Sequence, residues 1–279
     1  KPHSRKITGN IAYLCHAASV DRTLTLGVNG LKKLFGRRLV KLFGPQHGIS
    51  ADVQANMIET EDAIHPFFKL PVHSLYSERR IPSAESLKGI NNLIIDLQDV
   101  GTRIYTFLTT LLYILEDCAR VGKTVWILDR PNPIGRPIEG TALQPGWTSF
   151  VGCAEGIPMR HGLTLGEAAL WLQKKFRLDV DLKVISMRGY DPTRASGYGW
   201  PLGEMSWVNP SPNIPTLSSA RCFPGTVLLE GTTLSEGRGT TRALEMVGAP
   251  GLDMEKLLAR MSQRSEERRV GKECLRLCR

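Results

Sequence analysis

"NLIIDLQDVGTRIYTFLTTLLYILEDCARVGKTVWILDRP", residues 92–131, sets the fold class of this chain. It opens on a strand pattern, "NLIIDLQ" (92–98), passes through "YTFLTTLLYILEDCARVG" (105–122), whose apolar residues recur at helical spacing, and closes on a second strand, "TVWILDRP" (124–131). Both strands are apolar on alternate and intervening positions alike, so both of their faces need cover, as in a parallel sheet layered between helices. The same alternation extends upstream. "NIAYLCHA" (10–17), "RLVKLFG" (38–44) and "PVHSLYS" (71–77) read as strands, and "LGVNGLKKLFG" (26–36) reads as a helix ending at Gly36. "SAESLKG" (83–89) reads as a short helix capped by Ser83. Downstream, "LTLGEAALWLQKKF" (163–176) is a helix leading into the strand "DLKVISM" (181–187). The expected class is α/β, a Rossmann-like parallel sheet with helices on both faces. After Arg188 the pattern gives way to Gly/Pro-rich stretches, "GYGWPLG", "NPSPNIP" and "EGTTLSEGRGTT", and then "GLDMEKLLARM" begins one more helix.

The chain has 279 residues, 42% of them hydrophobic, enough for a large core. Residues 1–245 are expected to form the Rossmann-like catalytic domain with long motif loops, and 246–263 the start of a smaller C-terminal domain. Residues 264–279, "RSEERRVGKECLRLCR", lose all apolar periodicity and resemble a translated cloning-vector read, so they are set aside from the fold. They hold six basic and three acidic residues, which reduces the formal charge of the remainder from +9 to +6. That excess is spread along the chain with no aromatic interleaving, which argues against a nucleic-acid partner. No apolar run reaches the ~18 residues of a membrane span. The start, "KPHSRKITGN", lacks an initiator Met and an apolar signal core, so the true N-terminus is expected to lie upstream. Outside the tail stand Cys15, Cys118, Cys153 and Cys222, without CxxC spacing, and these are expected to be buried free thiols.

In an open parallel sheet, ligands bind beyond the carboxyl ends of the strands. Three motifs fall there: Gly44-Pro45-Gln46-His47-Gly48, the run holding Asp96, Gln98, Asp99 and Arg103, and Asp129-Arg130-Pro131-Asn132-Pro133. Each also has a purely structural reading. Gln46 and His47 could cap loop backbone, Asp96 could bond a neighbouring loop, Asp99 and Arg103 could close a local ion pair, and Asp129-Arg130 could serve a rigid turn. Other chemistries lack their patterns. "SEGRGTT" (235–241) has glycines without phosphate-loop spacing, and "AYLCHAASVDRT" has none where a dinucleotide would approach. His16, His65, His73 and His161 show no H-x-x-x-H pairing, so no metal is expected, and no G-x-S-x-G elbow occurs.

Taken together, "FGPQHG", "DLQDVGTRIYTF", "LDRPNPIG", "EGTAL", "SFVG", "IPMRHGLTLGEAA", "PSPNIPTL" and "LLEGTTLSEGRGTT" with a following "GAP" resemble the NamZ-type exo-β-N-acetylmuramidases, in that family's order. The resemblance implies a Rossmann-like domain, a smaller second domain and a pocket between them. It implies release of N-acetylmuramic acid from the non-reducing ends of peptidoglycan glycans, with no metal or nucleotide cofactor, in a periplasmic or secreted setting. Members continue well past "GAP", which places most of the second domain outside this chain. The resemblance also puts a catalytic Glu where this chain has Gln46, and an amide cannot transfer a proton at neutral pH. Three outcomes follow: another carboxylate among Asp99, Asp129, Glu59 and Glu236 acts, His47 is the acid, or the glycan is bound uncut. Arg103, Arg130, Asn132, Asn213 and Arg238 are the expected substrate contacts, a guanidinium pairing with the lactyl carboxylate. The loop tips bearing Gln46, Asp99 and Asp129 are expected to converge.

Overall fold

The computed structural model describes residues 3–53, 58–193 and 199–269, with the backbone alone over 262–269. Six parallel strands form the sheet: β1 (Ile11–Cys15), β2 (Leu39–Gly44), β4 (Pro71–Ser74), β5 (Asn92–Asp96), β6 (Thr124–Leu128) and β9 (Leu182–Ile185). The two-residue β3 (Ala63–Ile64) adds an antiparallel edge beside β4, giving the order β3-β4-β2-β1-β5-β6-β9. Apart from the edge strand β3, chain order thus runs outward from β1 in one direction and then, from β5, in the other. The switch point lies between β1 and β5, the position at which a doubly wound sheet opens a crevice.

Alternate residues of each strand enter opposite layers, because the side-chain period of a strand is two. Ile11, Tyr13 and Cys15 of β1 join Leu39, Ile94 and Trp126 in one core, covered by Val28 and Phe35 of α1 (Gly27–Phe35). Ala12 and Leu14 join Leu93, Ile95, Val125 and Ile127 in the other, covered by α2 (Phe107–Arg120) and α3 (Leu165–Phe176). Helices therefore cover both faces. Cys15, Cys118 and Cys153 are buried thiols, and Cys222 is half-buried.

Helix α3 begins on a reciprocal capping box. Thr164 accepts from the Glu167 N–H, and the Glu167 carboxylate accepts from the Thr164 N–H. At α1 the constraint is space, since a Cβ on Gly27 would lie 2.0 Å from the Tyr13 hydroxyl. That hydroxyl donates to Asp96 at 2.5 Å.

Three local expectations change. Ser83 does receive the Ser86 N–H at 2.9 Å, but residues 84–89 form turns and no helix. The Gly/Pro-rich region contains α4 (Leu217–Thr226), capped by Thr216, which the internal Pro224 hides from a periodicity reading. A hairpin of β7 (Glu139–Ala142) and β8 (Pro158–Arg160) stands apart from the sheet. Beyond it, α5 (Met254–Arg269) continues across residue 264. Among the described residues no helix is long and apolar enough to cross a membrane.

Candidate active site

Two crevices open at the carboxyl rim of the sheet, the larger at the switch point between β1 and β5 and the smaller beyond β2 and β4. The larger, about 940 Å³, is bordered by Val20 to Arg22 after β1, Asp96, Asp129 and Arg130, and residues 187–191 and 201–205. The smaller, about 170 Å³, is bordered by Gln46 and His47 after β2, Tyr76 after β4, Tyr105 and Thr106 at the start of α2, Ser211 and Asn213, and Glu230 and Arg238.

In the large crevice the charged groups are engaged in holding the fold. Arg130 pairs with Asp96 and donates to the Val20 carbonyl, tying the β6 loop to β5 and to the first crossover. Asp129 caps α3, accepting from the Gly166 N–H at 2.8 Å, the Thr164 hydroxyl at 2.9 Å and the Arg130 N–H at 3.0 Å. Burial raises its pKa, and those three hydrogen bonds work in the opposite direction. Asn132 spans Leu163 and Ile134 in the same scaffold.

Asp99 and Arg103 are buried and line neither crevice. Asp99 accepts from the Gly101 N–H at 2.7 Å and faces Nε2 of buried His161 at 3.3 Å. Gly101 has φ of 80°, and a Cβ there would meet Asn132 Oδ1 at 2.3 Å, so only glycine fits. Arg103 donates to the Thr141 and Ile157 carbonyls, anchoring the β7-β8 hairpin rather than pairing with Asp99. Glu59 is exposed and borders a third cavity with Asp62, His73 and Arg79. The convergence expected of Gln46, Asp99 and Asp129 therefore does not occur. Gln46 lies in the small crevice, Asp129 in the large one, and Asp99 inside the core.

The small crevice gathers Gln46, His47, Asn213 and Arg238, with Glu236 directly behind Arg238. Gly44 and Pro45 end β2, and His47 then takes φ of 71°, a left-handed conformation that non-glycine residues adopt at a cost of about 1–3 kcal/mol. Its ring is fixed at both nitrogens. Nδ1 lies 2.8 Å from the Val53 carbonyl, which only accepts, so Nδ1 carries the proton and Nε2 is left as an acceptor, 3.2 Å from the Ser211 hydroxyl. Burial lowers the His47 pKa, and the Arg238 charge lowers it further against the opposing Val53 bond, so the imidazole is neutral at pH 7. Gln46 is oriented by the Thr106 hydroxyl, which donates to its Oε1 at 2.6 Å.

Ser211 and Asn213 sit in "NPSPNIP", where prolines restrict φ and the Ile214 N–H closes a turn onto the Ser211 carbonyl. Arg238 is held between Glu230 and Glu236, so this group carries a net charge of −1. Sequence reasoning missed Tyr76, Thr106, Ser211 and Glu230. Ser211 adjoins the recognised Asn213, but Glu230 lies in a short 3₁₀ turn, residues 227–231, that has no motif of its own.

Deeper, at the switch point, His16 accepts the Gln98 N–H at its Nε2, and burial, with the Arg130 charge second, lowers its pKa to about 3. Ser19 ties the first crossover to the Asp96 carbonyl, where a Rossmann enzyme would open its glycine loop.

The segments that build this rim match known proteins in the same order. The N-terminal model of exo-β-N-acetylmuramidase NamZ matches residues 11–218, and the C-terminal model of the same enzyme matches 221–272. The chain belongs to the NamZ family. Its relatives include the peptidoglycan β-N-acetylmuramidase NamZ of Bacillus subtilis (strain 168), 40% identical over 247 residues, which make up 86% of this chain and 57% of that protein. The chain thus spans little more than half the length of that NamZ enzyme. Two crystal structures of DUF1343 family proteins from Bacteroides fragilis NCTC 9343 share the fold. One has a TM-score of 0.84 and 32% identity, covering 95% of this chain and 67% of its own. The other has 0.72 and 30%, covering 87% and 63%. The two NamZ models meet at 218–221, ahead of residue 245, where the sequence pattern alone places the change.

Proposed function

We propose that this chain carries the sugar-binding and reacting groups of an exo-acting β-N-acetylmuramidase, releasing N-acetylmuramic acid from the non-reducing end of a peptidoglycan glycan. The observation that supports it most is the small crevice, where a neutral imidazole with an unprotonated Nε2 and an amide, from residues 46 and 47, meet a carboxylate–guanidinium group from residues 230–238. His47 is the base. Its Nε2, which holds the Ser211 hydroxyl at 3.2 Å, takes a proton from a water that displaces that hydroxyl as the water oxygen bonds to the anomeric carbon. The imidazolium so formed returns the proton to the departing glycosidic oxygen. Gln46 orients the substrate or that water through its amide, since it cannot transfer a proton itself. The Glu230–Arg238–Glu236 group keeps a net negative charge beside the sugar, which favours an oxocarbenium-like transition state. Asn213 is placed to bond the sugar's hydroxyl or amide groups.

The test is to incubate the chain with muramyl glycans bearing N-acetylmuramic acid at the non-reducing end and to follow the free sugar by mass spectrometry. Release from that end alone is expected. A glycan bound and left intact would make this a binding protein instead, and the absence of both binding and release would end the proposal.

A further inference from the structure

The small crevice, at about 170 Å³, is well below the roughly 300–1,000 Å³ that encloses a whole small-molecule ligand. A substituted sugar therefore reaches the rim, where its substituents meet what stands there. The crevice interior is unsuited to an anion. His47 is neutral, and Arg238 is outnumbered by Glu230 and Glu236. Arg130 and Arg103, the other cations expected to hold a carboxylate, are bound to Asp96 and to backbone carbonyls.

One cation at the rim differs. The Arg80 guanidinium lies 4.6 Å over the Tyr76 ring and 4.9 Å over the Phe150 ring, and the two rings are 5.5 Å apart. Tyr76 borders the crevice, as does Val151, the residue after Phe150. Among the described residues no carboxylate lies within ion-pair distance of Arg80. Stacking holds the planar guanidinium in place while its edge donors stay available for bidentate contact with a carboxylate.

We infer that Arg80 is the specificity residue for an acidic substituent on the sugar, receiving a carboxylate such as a lactyl ether group at the crevice rim. This assignment rests on the muramidase reading above. The test compares binding of N-acetylmuramic acid, its methyl ester and N-acetylglucosamine to the wild-type chain, Arg80→Met and Arg80→Lys, by calorimetry or chemical-shift titration. The wild type is expected to prefer the free acid over both uncharged sugars. Arg80→Met is expected to lose about tenfold or more in affinity for the acid alone, the size of one charge-assisted hydrogen bond, and Arg80→Lys to lose part of that. If Arg80→Met keeps the wild-type preference, the assignment falls and the muramidase reading stands. If the wild type itself shows no preference for the acid, both fall.

Discussion

The two crevices are built on one sheet and differ in the opposite way from what volume alone would indicate. The larger, at about 940 Å³, is bordered by Asp96, Asp129 and Arg130, and each of these is fully engaged with the fold. The smaller holds the groups with remaining capacity: the Gln46 amide nitrogen, the Asn213 amide and the His47 Nε2, whose one contact is the Ser211 hydroxyl at 3.2 Å. Space in a structure is not chemistry. Reactive capacity follows from which polar atoms the scaffold has not already used.

Substitutions separate the two regions by what they damage. The largest effect is expected from Arg130→Met, which strands the buried Asp96 carboxylate. Unfolding in denaturant should show a loss of about 3–5 kcal/mol. A loss below ~1 kcal/mol would mean that the large crevice is less tied to the scaffold than its contacts indicate. His47→Gln is expected to lower kcat/KM for a chromogenic muramide by about 10²-fold or more, while melting stays near wild type. Should activity persist, the base lies elsewhere.

Acidification sharpens the contrast further. His47 has a lowered pKa and acts unprotonated, so the acidic limb of the kcat/KM profile should lie below the ordinary value of 6.5. A limb at or above 6.5 would contradict that role. His16 affects stability instead. Its folded pKa, about 3, is below the unfolded value near 6.5, so its contribution is complete above 6.5. It is lost progressively as pH falls from 6.5 towards 3, because only the unfolded chain takes up the proton. Urea midpoints measured across that range should fall, and His16→Asn should flatten the slope.

The smallest effect is expected from Gln46→Glu, which keeps an acceptor for the Thr106 hydroxyl. Hydrolysis should be preserved or raised. A tenfold loss, about 1.4 kcal/mol in barrier height, would show that the amide itself is required.

The sheet was legible in sequence because its strands are apolar on both faces and its helices carry clear periodicity, as in residues 92–131. The site was legible only in part. Gln46 and His47 stand out because Gly44 and Pro45 break a strong strand, and Asn213 because three prolines surround it. Asp99, Asp129 and Arg103 carry equally polar motifs, yet their partners lie at Gly101, at Gly166 and Thr164, and at Thr141 and Ile157, and pattern alone does not indicate which contacts a polar side chain will make. Glu230 and Arg80 were missed for a related reason. Glu230 is positioned by a 3₁₀ turn, and Arg80 by stacking between nearby Tyr76 and Phe150, seventy residues on, a pairing that leaves no local signature.

The aim of the His47 ring is set by a main-chain oxygen, that of Val53. No exchange of the side chain at position 53 removes a carbonyl, so this orientation is shielded from most single-residue substitutions there. Its vulnerability lies in the path of the connecting segment. Lengthening or shortening the stretch between Gly48 and Val53 by one residue would turn the oxygen away, free the imidazole to adopt its other tautomer, and disable the crevice with every side chain in it intact.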